Sequence, residues 1–356
     1  MLDRQTDRQT DRQTDRQTDR QSNYDFLRIL STFLVIVLHI NAHYYTMTSS
    51  VNELQIESFL NVITRVSVPC FVMLSGGFLL SKPKNKDFKY FYSHVFFKTV
   101  LPFIVISFIL LAFSTIKAIV TQGDVVAPLK ALLIGDYYNL WYMFMLFGLY
   151  LFTPIIIMVK ERISNKAYCI LSFVWLAFSI WFQSNSEYLV SYSFGVVFAY
   201  MGYFLVGNVI YENTKNKLGV KAFVYLLISV LFIVITYFVR QLLVIEKYLW
   251  NPYSSFFSPF IATASVFLFM AVSNWSLKVS FGKFPNRMFY IYLFHTVIYE
   301  IIFIVLKDKI ICNTILTIVL VSLFTFIISL IVSFVFIKIW NVIDKNFFSK
   351  QIKGKI

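Results

Sequence analysis

The sequence predicts an all-α fold, a polytopic membrane bundle of about ten transmembrane helices with both termini in the cytoplasm. Two observations predict it: the composition, and the positions of the basic residues. The 356 residues are 58% hydrophobic and only 14% charged, whereas ordinary soluble domains are roughly 45–50% apolar. Apolar runs close to the ~20 residues that cross a bilayer fill almost the whole chain.

The apolar runs divide the chain into ten predicted spans, at 26–46, 58–80, 95–116, 138–159, 167–183, 189–210, 221–243, 256–275, 288–306 and 310–338. The first is not a cleavable signal peptide, because Arg28 lies inside it and no small-residue cleavage site follows. We therefore expect residues 23–345 to form one ten-span domain, followed by a basic cytoplasmic tail at 346–356.

The basic residues predict the orientation. One set of alternate connections and the C-terminal segment carries 19 Lys and Arg, in 82–98, 160–166, 215–221, 278–287 and 338–355. The other set carries six, Lys117, Lys130, Arg240, Lys247, Lys307 and Lys309. This bias places both termini in the cytoplasm, as the even number of spans also does. The net charge of +14 is thus a topology signal, and we expect a lipid bilayer and no nucleic acid as partner.

Residues 1–22 hold a repeat, four copies of Asp-Arg-Gln-Thr and a fifth that ends in Ser. A tract without apolar side chains after Leu2 cannot bury a core, so we expect it to be disordered. Four residues correspond to three copies of a tetranucleotide, and GACA repeats encode this tetrapeptide in every frame. Gain or loss of one unit would shift the rest of the gene out of frame, which predicts phase variation, an on/off switch of expression. The alternative is a solvated tail without a role.

Two ionisable residues mark the first span. Arg28 and His39 are eleven positions apart, so at ~100° and 1.5 Å per residue they share one helix face, ~16 Å apart along the axis. Ionisable side chains inside a span usually face a bundle interior or a water-filled cavity. Arg28, near the cytoplasmic end, can extend its head to water. His39 lies too deep for that.

The same segment carries a resemblance to a known family. The chain contains Arg-x10-His in NYDFLRILSTFLVIVLH, then RVSVPCFVMLSGGFLL at 65–80, LWYMFMLFGLYLFTP at 140–154 and FGKFPNRMFYIYLFH at 281–295. In these blocks and their order it resembles the acyltransferase family three integral membrane proteins, and within them the surface polysaccharide and lipopolysaccharide O-acetyltransferase branch. Before the third span many relatives carry Arg pairs, where this chain has His94 and Lys98.

The resemblance implies an enzyme of the bacterial inner membrane. It would move an acyl group, usually acetyl, from cytoplasmic acyl-CoA, a donor substrate and not a bound cofactor, to a hydroxyl of a surface glycan. It also implies that Arg28 and His39 are needed for activity. Either the membrane part suffices or a separate partner protein completes the transfer. No metal site is expected, because Cys70, Cys169 and Cys312 are scattered within apolar runs.

Chemistry suggests roles for five of these residues. A sugar hydroxyl needs a base with a pKa near neutral, which a histidine such as His39 supplies. CoA is polyanionic, so cations at the cytoplasmic end should hold its phosphates, and Arg28, His94 and Lys98 are placed for that. Asp25, three residues before Arg28, can steady the guanidinium on the same helix face.

Four further residues are expected to bind substrate, each with an alternative. His43 neighbours His39 at i+4 and is expected to orient the acceptor or tune His39. Arg65 is expected nearly level with His39, where it stabilises the oxyanion, fixes a glycan hydroxyl, or instead bonds helix carbonyls. His295 lines the cavity or is a core histidine. Trp141 matches a family position, although aromatic residues near span ends often anchor at the interface.

Two other functions are compatible with the sequence. The first is an exporter of a glycan or lipid-linked sugar, for which the few intramembrane charges, at Arg65, Glu300 and the first-span histidines, are sparse. The second is a structural membrane subunit, which would have no use for an Arg/His stripe.

Overall fold

The structure is a computed structural model. In the part of the chain that it describes, all regular secondary structure is helical. That part comprises residues 2–45, 51–134, 140–185, 194–214, 219–244, 255–275, 277–306 and 313–343. The helices are α1 Leu2–Tyr45, α2 Val51–Thr64, α3 Ser67–Leu80, α4 Phe88–Val95, α5 Leu101–Val120, α6 Ala127–Ile134, α7 Trp141–Arg162, α8 Asn165–Asn185, α9 Phe194–Asn213, α10 Gly219–Val244, α11 Pro259–Asn274, α12 Met288–Leu306 and α13 Thr314–Ile343. A π-helical turn, Phe96–Val100, joins α4 to α5.

The predicted spans agree with these helices. Within the described ranges, nine helical segments are long and apolar enough to cross a membrane. The remaining predicted span, 256–275, corresponds to α11, an apolar helix of 16 residues, which is about 24 Å long at 1.5 Å per residue. The multi-pass helical bundle is confirmed.

Polar contacts join the ends of alternate helices on one side of the bundle. Lys160 of α7 reaches Glu212 of α9 at 2.5 Å and Asn208 at 2.9 Å. The Asn208 amide donates to Ser81, just after α3, at 2.8 Å. Lys86 pairs with Glu161 at 3.1 Å. These residues belong to the Lys- and Arg-rich connections, so we call this the basic side, the side that the charge bias assigns to the cytoplasm.

The start of the first span is fixed on the same side by Asn23. Its amide nitrogen donates to the carbonyls of Val272, at 3.0 Å, and of Trp275, and its oxygen accepts from the Leu277 N–H at 2.9 Å. Asn23 thus pairs the backbone groups left open where α11 ends. This anchor holds Arg28, one to two turns further along α1, near the basic side.

Helices α3 and α9 pack closely at the centre of the bundle. A Cβ atom on Gly76 would come within 1.8 Å of the Phe204 carbonyl oxygen, and one on Gly207 within 2.2 Å of the Met73 carbonyl oxygen. Small residues allow this approach, which drives association between helices in a membrane.

The second span is interrupted at Arg65 and Val66, between α2 and α3. Proline has no N–H, so Pro69 cannot donate to the carbonyl four residues earlier, which is that of Arg65. The Ser67 hydroxyl instead donates to the Thr64 carbonyl at 2.6 Å. The sequence did not predict this break, and it places Arg65 at a bend inside the membrane.

In the structure α1 begins at Leu2 and includes the N-terminal tract, while its disorder in solution stays a prediction. The tract contains neither glycine nor proline, so its composition offers nothing that ends a helix propagating backwards from the first span.

Candidate active site

A cavity of about 210 Å³ lies within the bundle, in the half away from the basic side. It is lined by Val35, Leu38, His39, Ala42, Asn61, Arg65, Val68, Phe71, Trp141, Tyr142, Phe256 and Tyr292. Helix α1 contributes one stripe to it, at positions 35, 38, 39 and 42, which recur at helical spacing. The wall is mostly apolar and aromatic, with a few convergent polar groups, as is typical of a ligand site.

His39 shares its surroundings with a second imidazole. The rings of His39 and His295 are 5.4 Å apart between centroids, and the Tyr299 ring stacks on His39 at 6.5 Å. His295 is 1% exposed. Its Nδ1 bonds to the Tyr292 carbonyl of the preceding helical turn, and because a carbonyl only accepts, Nδ1 carries the hydrogen. The Nε2 of a neutral His295 is then an acceptor, and it has no partner within the described part of the chain.

Arg65 faces the same cavity from the bend between α2 and α3. Its Nε donates to the Asn61 amide oxygen at 3.2 Å, and its guanidinium lies 4.9 Å from the centre of the Phe256 ring. The same Asn61 oxygen accepts from Nη1 of Arg240, of α10, at 2.8 Å. Among the described residues no carboxylate forms an ion pair with Arg65.

A hydrogen bond between α1 and α2 fixes the heights of these groups. The Asn41 amide donates to the Glu57 carbonyl at 2.9 Å, so Asn61, one turn deeper than Glu57, stands close to the level of His39. The Arg65 side chain points back towards Asn61, as side chains do along a helix. The imidazole and the guanidinium therefore face one another at a similar depth, as the residue count predicted.

Arg28 and Asp25 lie at the basic end of α1. The two form an ion pair at 3.7 Å, and Asp25 is buried while Arg28 remains 28% exposed at its side chain. The guanidinium lies 5.3 Å from the centre of the Phe78 ring of α3. The hydroxyls of Tyr142 and Tyr150 are close enough to interact with the Arg28 charge, and Tyr142 also lines the cavity. Tyr142 of α7 thus belongs both to the cavity at His39 and to the electrostatic surroundings of Arg28.

The remaining predicted residues fall into two groups. Trp141 lines the cavity, between the rings of Tyr200 and Phe256 at 5.9 and 6.2 Å. His43 does not line it, and its ring instead stacks on Phe303 of α12 at 3.8 Å.

His94 and Lys98 lie outside the cavity. His94 is exposed on α4, where it stacks on Tyr90 at 5.9 Å, and Lys98 is exposed on the π-helical turn. The Tyr92 hydroxyl, which donates to the Leu151 carbonyl at 2.7 Å, packs α4 against α7. Both cations therefore stand on an amphipathic element that follows the basic loop.

Several lining residues were not predicted. Asn61 precedes Arg65 by four and Tyr292 precedes His295 by three, so helical spacing was a usable signal for both. Phe256 comes from a short segment before α11, distant in sequence from the other lining residues, and no local sequence pattern indicated it.

In the described residues no group of three or more His, Cys, Asp or Glu could hold a metal ion.

Comparison with known proteins gives one match. The family model described as an acyltransferase domain, that of acyltransferase family 3, matches residues 21–336. No curated protein matches the chain, and no solved structure does.

Proposed function

The chain belongs to acyltransferase family 3, and on that premise we propose that it transfers an acetyl group from cytoplasmic acyl-CoA to a hydroxyl of a bacterial surface glycan, lipopolysaccharide or another polysaccharide, in the inner membrane. The observation that carries the proposal is the position of His39. This deep ionisable group of the first-span stripe stands on the wall of an internal cavity, and Tyr142 of the same wall is near enough to Arg28 to influence its charge.

The reaction is an acyl transfer with His39 as general base. His39 accepts the proton of the glycan hydroxyl while that oxygen attacks the thioester carbonyl. The tetrahedral intermediate collapses, the C–S bond breaks, and the imidazolium returns its proton to the departing sulfur. The products are the glycan ester and free CoA thiol, and His39 is neutral again. An apolar, aromatic wall favours this step because it excludes bulk water that would hydrolyse the thioester.

The donor enters from the basic side in this scheme. Arg28, held by Asp25, offers a planar fork to a CoA phosphate, and His94 and Lys98 add positive charge on the same side. Arg28 and His39 are ~16 Å apart along α1, a span of the order that a pantetheine arm covers. Tyr150 and Tyr142 lie between them on α7 and give the polar parts of that arm a hydrogen-bonding wall.

The acceptor enters the cavity from the opposite side. Ala42 is exposed next to the lining residue His39, which supports an opening there. Trp141 provides an aromatic face for a sugar ring. Arg65 contacts the substrate across from His39, and His295 contacts His39 from behind. His43, stacked on Phe303, supports the His39 end of α1 and does not hold the sugar directly.

The experiment that tests this function is mass spectrometry of surface glycans from cells with and without the gene. Loss of one acetyl mass per modified sugar on deletion is the expected result. An unmodified glycan that accumulates inside the cell would identify an exporter instead. No change in any surface glycan would refute both.

The N-terminal repeat suggests how the activity is regulated. We propose that loss or gain of a GACA unit switches expression between on and off states. Sequencing the tract in many colonies of one strain should find several copy numbers, with acetylated glycan only where the frame is open. A fixed copy number throughout would rule the switch out.

A further inference from the structure

Arg65 presents its guanidinium to the cavity, and no carboxylate of the described ranges is paired with it. Its Nε is used by Asn61 and one face of its guanidinium by Phe256. Its two Nη groups donate to no acceptor among the described residues. The lining residues that belong to the described part of the chain include no Asp or Glu.

A second arginine lies next to Arg65 and uses the same hydrogen-bond acceptor. Asn61 is neutral, and its single oxygen serves both Arg65 and Arg240, so a second guanidinium stands beside the first. Holding a cation away from water without a counter-ion is destabilising, and such groups are normally paired. Arg28 differs in this respect, because Asp25 forms an ion pair with it at 3.7 Å. Among the described residues, the chain thus provides a carboxylate for Arg28 and none for Arg65.

We infer that Arg65 binds an acidic group of the acceptor, a carboxylate or a phosphate, carried on or next to the sugar whose hydroxyl His39 activates. The inference rests on the proposed function and adds the class of acceptor. A planar fork whose two Nη groups have no acceptor in the described part of the chain matches the two oxygens of such an anion. Because Arg65 and His39 face one another at similar depth, an anion at Arg65 presents a nearby hydroxyl to the imidazole.

A fixed charge on the acceptor can be separated experimentally from a transient charge in the reaction. If Arg65 served only the oxyanion of the tetrahedral intermediate, it would assist acidic and neutral acceptors equally. If it binds an acidic group, its contribution should disappear together with that group. A cycle that combines the variant with the altered acceptor therefore distinguishes the two roles.

The test uses the full-length protein in native membranes, labelled acetyl-CoA, and glycan purified from a strain that lacks the gene. That glycan is offered untreated, after carboxyl reduction, and after dephosphorylation. With the wild-type protein we expect one of the two treatments to lower kcat/KM for the glycan roughly 10- to 100-fold, the usual range for a hydrogen-bonded charge. Arg65→Gln should cause a similar loss on the untreated glycan and no further loss on the treated one.

Two controls accompany the cycle. Arg287→Gln removes a guanidinium with the same kind of ring contact, 5.1 Å from Phe334, but outside the cavity, and should leave transfer unchanged. Arg65→Lys keeps the charge. The abundance of all variants in the membrane is measured so that misfolding is recognised. If Arg65→Gln is absent from the membrane, the Arg65→Lys variant and the acceptor treatments test the inference.

Three results would overturn the inference. One is equal loss on treated and untreated glycan in Arg65→Gln, which assigns Arg65 to the oxyanion. Another is a wild-type protein indifferent to both treatments. A third is acetylation that maps to a stretch of neutral sugars. A wild-type protein that acetylates none of the three glycan preparations would remove the proposed function itself, a different and recognisable failure.

Discussion

Arg28 and Arg65 lie inside the same bundle but in opposite halves, and they differ in what surrounds their charge. Arg28 pairs with buried Asp25 and lies over Phe78 near the basic side. Arg65 lies over Phe256 with one amide oxygen as its polar partner among the described residues. The ring contacts are alike, 5.3 and 4.9 Å, so the carboxylate is what distinguishes them. One arginine is built as a neutral pair, and the other presents charge to a cavity.

This difference suggests a division of labour along the first span. At the basic end, Asp25 holds the Arg28 guanidinium in place, where the phosphates of a donor can displace the water around it. When the donor leaves, Arg28 still has Asp25 as its counter-ion. At the cavity end, Arg65 has no carboxylate partner among the described residues, and we expect the acceptor to supply the groups that Arg65 and His39 bind. Variants at the two ends should therefore separate donor requirements from acceptor requirements and from chemistry.

The largest effect is expected at His39. His39→Ala and His39→Gln should each lower glycan acetylation by ~10²–10⁴, the usual contribution of a general base, at unchanged protein abundance in the membrane. The Gln variant fills most of the volume of the ring, so equal losses in both variants would exclude a packing effect. Wild-type acetylation by either variant would remove His39 from the mechanism, and the cavity half of the bundle would then have no assigned catalytic group.

His295 is expected to come next, as a positioning residue that acts through His39. With Nδ1 bonded to the Tyr292 carbonyl, its Nε2 presents an acceptor next to the His39 ring, and a third group that orients the base is a common arrangement. His295→Asn keeps a donor for the carbonyl but loses the acceptor at Nε2, whereas His295→Gln can place its oxygen there. We expect roughly 10- to 100-fold loss of kcat in Asn, with KM for acyl-CoA unchanged, and partial recovery in Gln.

A purely structural His295 would give the opposite order. If His295 acted only through its hydrogen bond to the Tyr292 carbonyl, His295→Asn would keep the activity and His295→Gln would lose it. Losses in protein abundance that parallel the losses in activity would also assign His295 to the core.

The global fold could be predicted from the sequence, because its signals are local. Ten apolar runs and the alternating basic loops predicted the spans, and each has its helix. Helical geometry alone placed His39 on an inward stripe. The bend at Arg65 was missed although Pro69 signals it, because an apolar run of 23 residues reads as one uninterrupted span.

The composition of the site could be predicted only in part. Residues at helical spacing from a charged neighbour, such as Asn61, had a signal. Phe256 and Arg240 meet Arg65 across nearly 200 positions of sequence, through packing of α10 and the segment before α11 onto α2, and no single-sequence pattern contains that packing. His43 was expected to orient the acceptor or to tune His39, and that role stays a prediction. Its ring lies ~40° around the helix from His39 and packs on Phe303, a contact that no sequence pattern indicated.

Arg28→Lys should have a smaller effect, confined to the donor. Lysine keeps the charge and the pair with Asp25 but loses the planar fork, so phosphate is held by a point charge. We expect KM for acyl-CoA to rise about tenfold, the value of one charge-assisted hydrogen bond, with the requirement for glycan unchanged. The assay varies acyl-CoA at saturating glycan and then the reverse. A raised glycan requirement with an unchanged donor dependence would place Arg28 at the sugar and reverse the proposed direction of transfer.

The smallest effect is expected at His43, which sharpens the comparison because it is the nearest histidine to His39 that does not line the cavity. Its ring packs flat on Phe303 at 3.8 Å, so it contributes apolar contact between α1 and α12 and does not reach the substrate. His43→Phe preserves a flat ring and should retain activity within about twofold, while His43→Ala should lose some protein abundance through the vacated contact. Acetylation per molecule of inserted protein, measured for both, separates the two effects. If His43→Phe is inactive at normal abundance while His39→Gln is active, the base is His43, and the cavity beside His39 serves another purpose.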